Sequence, residues 1–253
     1  ACGSDKFLQR NFGTEKIEEE LSVILPEASS ARMDLDTTRS KYAYHKLIED
    51  FEQHRIQVLI GTQMVTKGLD FSLVDLVAVL SADSMLNYPD FRAFERSFQL
   101  FSQVAGRAGR REIPGRVLIQ TWKPDHPVLK FVQAHDYEGF YEQEIEERKR
   151  FMYPPFCRLI HITLKHEATD PLDQGADLLA GFLRKTFQGR ILGPEYPPVA
   201  RVRNLFQKRI LMKIEPEVSL KQVKSELLRQ FDLFFQEFPL KNFRVILDVD
   251  PAN

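Results

Sequence analysis

Short apolar runs separated by amphipathic stretches fill the first half of the chain. Two runs, at 56–60 (IQVLI) and 76–80 (LVAVL), are almost continuously apolar, and 116–121 (RVLIQT) is similar. Runs of this length are typical of strands that are buried on both faces of a parallel sheet. Because such strands alternate here with helices, the pattern predicts an α/β layered fold for residues 13–151.

The amphipathic stretches between these runs predict helices. In chain order, the predicted elements are a helix at 15–25 with Thr14 as its N-cap, a strand at 31–34, a helix at 39–54 capped by residues 36–38, and a helix that carries Phe91, Phe94, Phe98 and Phe101 at helical spacing. A highly charged stretch at 136–150 predicts a connector helix at the end of this domain.

The pattern changes after a proline-rich step at 152–155, where we place a domain boundary. Residues 159–164 alternate apolar and polar side chains, which predicts a half-buried strand. The elements predicted next are a helix at 170–187, a Gly/Pro-rich turn at 193–198, strands at 199–204 and 209–214, a helix at 216–235 and a strand at 243–249. This β-α-β-β-α-β order predicts a smaller, ferredoxin-like α+β domain over 152–253.

The composition is that of an ordinary globular protein, with 43% hydrophobic and 28% charged residues. No apolar run approaches the roughly 20 residues that span a bilayer, and residues 1–12 have no apolar signal region. We therefore expect a cytoplasmic protein without a membrane partner, and a monomer, since no heptad pattern is present. The net charge is −1, but residues 152–253 carry more basic than acidic side chains, which favours this domain for nucleic-acid contact.

The strongest chemical pattern is QVAGRAGR, from Gln103 to Arg110, at the end of the Phe-rich helix. Arg107 and Arg110 are three residues apart and so share a helical face, and arginine suits bidentate binding of polyphosphate. Gly106 lets the backbone approach another surface closely. The alternative is a helix C-terminus with basic residues that complement the dipole and glycines that end the helix.

A second pattern, GTQMVTKGLDF at 61–71, follows the strand predicted at 56–60. It combines a Gly-Thr turn after a strand with a Gly-x-Asp step that ends at Asp70. Thr62 by itself is equally well explained as a helix cap. The two patterns together, in this order and on these elements, resemble motifs five and six of superfamily-two helicases.

Further segments narrow the resemblance to the primosomal replication-restart helicases, the PriA family (primosomal protein N′). These segments are RMDLDTT at 32–38, PDFRAFER at 89–96, YPPF at 153–156 and LGP at 192–194. The resemblance covers essentially the whole chain. It implies a second RecA-like helicase lobe and a C-terminal domain of an ATP-dependent DNA helicase, which recognises stalled or branched forks and restarts replication by primosome assembly.

The same resemblance implies roles for particular residues. They are Arg107 and Arg110 for catalysis at the β- and γ-phosphates, Gly68, Asp70, Gln103 and Gly106 for nucleotide binding, and Thr62, Gln63 and Lys67 for contact with DNA. Which arginine is the arginine finger stays open.

Two motifs required for ATP hydrolysis are absent from the sequence, namely the GxxxxGK[ST] phosphate loop and the Asp-Glu-x-His magnesium box. In the family both belong to the first lobe. An arginine finger accelerates hydrolysis only of a phosphate that another site holds. We therefore expect ATP and Mg²⁺ to act in the intact protein, and this chain alone to be inactive.

Cys2 stands in an Ala-Cys-Gly-Ser segment. It is either an incidental cysteine or, as the family resemblance implies, the last ligand of a zinc-binding insertion whose remnant is residues 1–12. In the second case Zn²⁺ belongs to the intact protein, and we do not expect this chain to hold it.

A stretch at 196–214 contains no acidic residue. Arg201, Arg203 and Arg209 surround Phe206 in a predicted hairpin, an arrangement suited to a single-stranded backbone and a stacked base. The alternative is a solvated hairpin whose charges only maintain solubility. The family resemblance implies binding of single-stranded and forked DNA and of the single-stranded-DNA-binding protein, with other primosome proteins as further partners.

Two other functions remain open from the sequence. In the first alternative, the chain acts only as a DNA- or protein-binding module. In the second, it belongs to another superfamily-two translocase or to an RNA helicase. The PDFRAFER segment and the Pro-Pro step favour the replication-restart family over the second of these.

Overall fold

The computed structural model describes residues 13–34, 37–38, 40–62, 74–106, 115–239 and 242–251. The chain divides into two compact units, of which the first ends at Phe140 and the second begins at Tyr141. The division falls inside a helix, and the boundary predicted at 151/152 lies just past the C-terminal end of that helix. Parallel strand pairs in the first unit and an antiparallel sheet in the second confirm a mixed α/β class.

Helices and short strands alternate in the first unit. In chain order the elements are α1 (Thr14–Ile24), β1 (Ser30–Met33), α2 (Lys41–Glu52), β2 (Val58–Gly61), β3 (Leu76–Val79), α3 (Asp83–Leu86), α4 (Ala93–Ala105), β4 (Arg116–Ile119), α5 (Pro127–Ala134) and α6 (Tyr137–Arg150), the helix that contains the division. Strand β1 pairs with β2, and β3 pairs with β4, both in parallel. Parallel neighbours need a crossover, which α2 supplies for the first pair and α3 with α4 for the second.

Helix α1 begins one residue earlier than predicted. Thr14, the predicted N-cap, is its first residue, and the Thr14 hydroxyl donates to Asp34 Oδ2 at 2.8 Å. Asp34 Oδ1 accepts from the Thr37 N–H at 3.0 Å. These bonds, the one from Thr37 first, hold the pKa of the Asp34 carboxyl below its ordinary value. The polar side chains around Asp34 therefore tie α1 to the end of β1.

Helix α2 begins later than predicted, at Lys41, and its N-cap is Ser40. The Ser40 Oγ accepts from the Ala43 N–H at 3.1 Å. Of the three residues predicted to cap this helix, Thr37 and Thr38 bond to Asp34 instead, and Asp36 lies outside the described residues. The predicted cap was wrong because a local turn competes for its hydroxyls.

The apolar face of α4 forms the main core of the first unit. Phe98 and Phe101 are buried at the predicted helical spacing, together with Val104. The Phe98 ring stacks on Phe140 of α6, with ring centroids 4.3 Å apart and planes 5° apart. Helix α6, which was predicted as a connector, therefore also contributes to this core.

Helix α5 was not predicted, because the proline-rich segment at 121–127 resembles a loop. Pro127 occupies its first turn, where a missing N–H costs nothing, and the Nδ1 of His126 accepts from the Val128 N–H at 3.3 Å. The helix then buries Val128, Leu129 and Val132 against α4. Packing rather than local pattern decides this element.

The second unit is a sheet with two helices packed on one face. Its elements are β5 (Arg158–His166), α7 (Thr169–Phe187), β6 (Ile191–Glu195), β7 (Arg201–Val202), β8 (Leu205–Ile214), α8 (Leu220–Glu237) and β9 (Arg244–Val249). The strand order is β6-β8-β5-β9, with all neighbours antiparallel, and β7 forms a hairpin with β8.

Alternate residues of the strands face the two helices. Ile160, Ile162 and Leu164 of β5 are buried in one cluster with Leu179 of α7 and Phe234 of α8. The alternation predicted for 159–164 is confirmed, because Ile160, Ile162 and Leu164 are buried while His161 and Thr163 are half-buried.

Strand β6 occupies a stretch that was predicted to be a turn. It runs through Gly193-Pro194, and its register against β8 shifts before Glu195 pairs with Arg209. Gly193 has a φ of 87°, and a Cβ there would meet the Arg209 carbonyl oxygen at 2.7 Å, so this bulge requires glycine. Proline is tolerated because β6 is an edge strand. The strand predicted at 199–204 shortens to the two residues of β7.

The longest helices are α7, of 19 residues, and α8, of 18. Both alternate apolar and charged side chains, as a helix that packs on one side of a sheet requires. Across the ranges that the structure describes, no helix has both the length and the apolarity needed to cross a membrane.

Candidate nucleic-acid interface

The hairpin of β7 and β8 has Arg203-Asn204 at its tip. Both residues have positive φ, 49° for Arg203 and 65° for Asn204. This is the geometry of a two-residue type I′ turn, whose twist matches that of antiparallel strands. Asparagine tolerates the conformation, whereas arginine adopts it only rarely. Arg203 adopts this rare conformation at the tip of the hairpin, and its side chain is exposed.

An open hollow of about 640 Å³ lies beside this hairpin, and we call it the basic hollow. Its lining comes from the hairpin, from the turn after β5 and from the start of β9. The lining residues are Glu167, Arg201, Arg203, Asn204, Leu205 and Arg244. The antiparallel pairing of β5 with β9 sets Lys165 opposite Arg244, which places the start of β9 beside the end of β5.

The guanidinium groups in the basic hollow carry unneutralised charge. The guanidinium groups of Arg203 and Arg244 form no ion pair or hydrogen bond with any residue in the described ranges. Arg201 makes a cation–π contact with Phe206, with 4.9 Å between its guanidinium carbon and the ring centroid. Clustered arginines that form no ion pair attract an anion. The planar guanidinium group can donate two hydrogen bonds to one phosphate.

Lys208 belongs to the same acid-free stretch but is engaged within the fold. Its Nζ lies 2.6 Å from Asp173 Oδ1 on α7, and it also lies 4.9 Å from the ring centroid of Tyr196. This bond holds the pKa of the Asp173 carboxyl below its ordinary value. The Tyr196 hydroxyl donates to the same oxygen at 2.7 Å, and burial, with this hydrogen bond, raises the pKa of Tyr196 to about 12. Lys208 therefore has a structural partner.

Lys213 is also engaged, at the other end of β8. Its Nζ donates to the Phe151 carbonyl at 2.6 Å and lies 3.8 Å from the ring centroid of Tyr153. Burial lowers the pKa of the Lys213 ammonium. This side chain anchors the segment that follows α6 to the sheet.

Phe206 and Arg209, both predicted to bind DNA, lie differently from Arg201 and Arg203. Phe206 is half-buried against the core, and one face of its ring lies under Arg201. Arg209 is half-buried outside the basic hollow, opposite Thr163 of β5. Its Nε is buried without a hydrogen-bond partner among the described residues. The structure thus brings Arg201, Arg203 and Phe206 together and leaves Arg209 apart.

Most residues predicted in the first unit for catalysis, nucleotide binding or DNA contact lie outside the described residues. These are Arg107 and Arg110, predicted to be catalytic, Gly68 and Asp70, predicted to bind nucleotide, and Gln63 and Lys67, predicted to contact DNA. Of the others, Thr62 follows β2 and is exposed, while Gln103 and Gly106 are exposed at the C-terminal end of α4. The Gly106 N–H donates to the Ser102 carbonyl at 3.0 Å, which completes the last turn of the helix.

Glu167 and Arg244 were missed from the sequence. Neither stands within the acid-free stretch, and they are far apart in the chain. The signal available was the ferredoxin-like order of elements, because it makes the first and last strands neighbours and so joins the end of β5 to the start of β9.

A zinc site was predicted only for the intact protein, through Cys2, which lies outside the described residues. Within the described ranges, no cluster of three or more His, Cys, Asp or Glu side chains could hold a metal ion.

Comparison with known families gives two matches along the chain. Residues 10–112 match the family described as Helicase conserved C-terminal domain. Residues 149–252 match the family described as Primosomal protein N C-terminal domain. The basic hollow and its hairpin lie within the second match.

Individual relatives agree with these matches. The chain is 39% identical over 252 residues to Replication restart protein PriA of Bacillus subtilis (strain 168), which covers 99% of this chain and 31% of that protein. It is 42% identical over 216 residues to the protein of the same name from Synechocystis sp., covering 84% of this chain and 26% of the relative. It is 50% identical over 151 residues to Replication restart protein PriA of Chlamydia pneumoniae, a match that covers 60% of this chain and 20% of that protein.

The chain spans less than a third of the length of these relatives. The motifs that carried the resemblance in the sequence fall within the matched residues. Motifs five and six lie in the helicase match, and the segment that follows the Pro-Pro step lies in the second match. The chain belongs to the PriA family of replication restart proteins and corresponds to their C-terminal portion.

Proposed function

We propose that this chain is the C-terminal part of an ATP-dependent DNA helicase that recognises stalled or branched replication forks and restarts replication by primosome assembly. The match of residues 10–112 to a helicase family and the names of the relatives support this activity for the intact protein. The absence of a phosphate loop and a magnesium box from the sequence supports an inactive chain when it is alone.

The first unit acts, in this proposal, as the second RecA-like lobe. Its two parallel strand pairs with helical crossovers support that assignment. Arg107 and Arg110 would stabilise charge that develops on the transferred phosphate. The nucleotide would be positioned by Gly68, Asp70, Gln103 and Gly106, and the DNA backbone by Thr62, Gln63 and Lys67. The other RecA-like lobe of the intact protein would supply the phosphate loop and bind Mg²⁺.

The second unit has, in this proposal, the ferredoxin-like arrangement. The supporting feature is that each helix connects two parallel strands with one strand between them. Helix α7 connects β5 to β6 around β8, and α8 connects β8 to β9 around β5. This is the split β-α-β pattern, used twice.

DNA binding by the second unit is the part of the function that the geometry supports best. The single observation that carries it is the set of unpaired guanidinium groups in the basic hollow, from Arg201, Arg203 and Arg244. Guanidinium groups on a hairpin can bind the phosphates of single-stranded or forked DNA. Phe206 would support this contact through its ring beneath Arg201, and Arg209, outside the basic hollow, would make a separate contact.

The remaining partners follow from the family and are proposals for the intact protein. They are the single-stranded-DNA-binding protein, other primosome proteins, and Zn²⁺ held in part by Cys2. The protein would act as a cytoplasmic monomer. A second candidate function, in which this chain acts only as a DNA- or protein-binding module, is favoured by the arginines of the basic hollow that form no ion pair.

Binding of this chain to fluorescent single-stranded and forked DNA, measured across a salt series, tests the proposal. An Arg201→Ala/Arg203→Ala variant is expected to bind at least about tenfold more weakly at low salt, because two phosphate contacts are lost. The slope of log affinity against log salt is expected to fall by about 2, since each contact contributes close to one unit.

The matched control is Lys221→Ala/Lys224→Ala, which removes the same charge from exposed positions on α8. This control is expected to bind DNA like the unaltered chain. Equal weakening of both variants would mean that bulk charge, not the hairpin, attracts DNA. Stronger binding to an RNA strand than to DNA would favour the RNA-helicase alternative.

A further inference from the structure

Glu167 is the one acidic residue in the lining of the basic hollow. It has no hydrogen bond or ion pair with any residue that the structure describes, although three arginines line the same space. A carboxylate that neither neutralises its cationic neighbours nor is neutralised by them lowers the affinity of the site for phosphate. Its place in the hollow therefore needs a reason other than charge balance.

The backbone around Glu167 is held in place. The Ala168 N–H donates to the Nδ1 of His166 at 3.0 Å, which closes a tight turn around Glu167. The His166 ring lies against Phe243, with ring centroids 6.2 Å apart, and Arg244 is the next residue in the chain. The ring contact thus joins the backbone segments that carry Glu167 and Arg244 at the edge of the hollow.

Carboxylates accept hydrogen bonds from the amino groups of bases, and in particular from N4 of cytosine. A nucleotide presents an anionic phosphate and such donors together, which matches a site of arginines with one carboxylate. In a single strand both amino hydrogens are available, whereas in a duplex one of them is used in base pairing. An acidic peptide has no matching donors in its side chains, and its carboxylates would be repelled by Glu167.

We propose that Glu167 makes the basic hollow selective for an unpaired base that carries an amino group, while the arginines bind the adjoining phosphates. This inference rests on the proposed DNA binding of the second unit, and it makes Glu167 a specificity-determining residue. The side chain is exposed, so each hydrogen bond competes with water and the discrimination is modest. Thymine, which has no amino group, is the base disfavoured most.

The test compares oligo(dC) with oligo(dT) of equal length, for the unaltered chain and for Glu167→Gln and Glu167→Asp. The ratio of the two affinities is expected to favour dC by about 3–10-fold more in the unaltered chain than in Glu167→Gln. The glutamine amide both accepts and donates hydrogen bonds, so it no longer distinguishes cytosine from thymine. Glu167→Asp keeps the charge and the acceptor, and is expected to retain part of the preference. Differences in base stacking cancel when the ratios are compared.

A ratio that is the same in the unaltered chain and in Glu167→Gln, with binding still lost in Arg201→Ala/Arg203→Ala, overturns this inference and leaves the proposed DNA binding intact. No binding of either oligonucleotide overturns the proposed function itself. Competition by oligoglutamate as effective as by oligo(dC) would reassign the hollow to acidic peptide. Competition by free dCMP as effective as by an equal concentration of oligo(dC) would reassign it to free nucleotide.

Discussion

Replacing both Arg107 and Arg110 by alanine in the full-length protein is expected to lower the rate of DNA-stimulated ATP hydrolysis by about 10³–10⁵-fold, the usual contribution of an arginine finger. The basis is the QVAGRAGR motif, which begins in the last turn of α4 at Gln103 and falls within the match to the helicase family. The guanidinium group of the finger stabilises charge present only in the transition state, so its loss lowers turnover, whereas loss of the other arginine lowers nucleotide affinity. Steady-state rates and nucleotide affinity, measured on the same preparation, separate the two effects.

The single variants decide which arginine is the finger. The finger variant is expected to lose nearly the whole effect by itself, and the other to lose mainly nucleotide affinity. Arg116→Ala is the charge-matched control, because Arg116 is an exposed residue at the start of β4. A double variant that keeps its hydrolysis rate to within about tenfold would remove both residues from the catalytic site.

Alanine at Gly175 is expected to destabilise the second unit by up to about 2 kcal/mol, although glycine is a poor helix residue. Gly175 lies within α7, where alanine gains about 1 kcal/mol from helix propensity. A Cβ there would lie 2.6 Å from Phe243 and 2.8 Å from Phe238. Those rings cannot swing away freely, because both also pack against Phe234, with centroids 5.6 Å from it in each case. Overpacking of this kind costs about 1–3 kcal/mol and outweighs the gain in propensity.

Gly181 provides the control on the same helix. A Cβ at Gly181 would meet nothing within 4 Å, so Gly181→Ala is expected to stabilise by about 0.5–1 kcal/mol. Urea unfolding followed by circular dichroism, with hydrogen exchange of peptides from α7 and β9, measures both variants. Stabilisation of equal size by both substitutions would show that the Phe243 and Phe238 rings move aside at little cost.

The elements that were predicted correctly are those decided by local periodicity. Phe98 and Phe101 of α4 and alternate residues of β5 are buried as their spacing predicted, although Phe91 lies before α4 begins at Ala93. Strand β6 and helix α5 were missed because prolines and a glycine resemble turn signals, and only packing reveals that an edge strand and a helix N-terminus tolerate them.

The site was predictable only in part, for a related reason. An acid-free stretch indicated the hairpin arginines, but sequence could not separate Arg203, which is unpaired, from Lys208, which is paired with Asp173 on a distant helix. Glu167 approaches the hairpin through the pairing of β5 with β8, and Arg244 through the pairing of β5 with β9. Tertiary contacts therefore decide which charges remain available for a ligand.

The most direct test of DNA binding at the basic hollow is an NMR titration that follows the arginine Nε–Hε signals as single-stranded DNA is added. We expect the signals of Arg201, Arg203 and Arg244 to shift at low salt and to return as salt is raised. Arg229, whose Nε donates to Glu226 Oε2 at 3.0 Å on α8, is the internal reference and should not move. Shifts centred on Arg229, or no shift at the three hollow arginines when DNA is bound, would contradict the account.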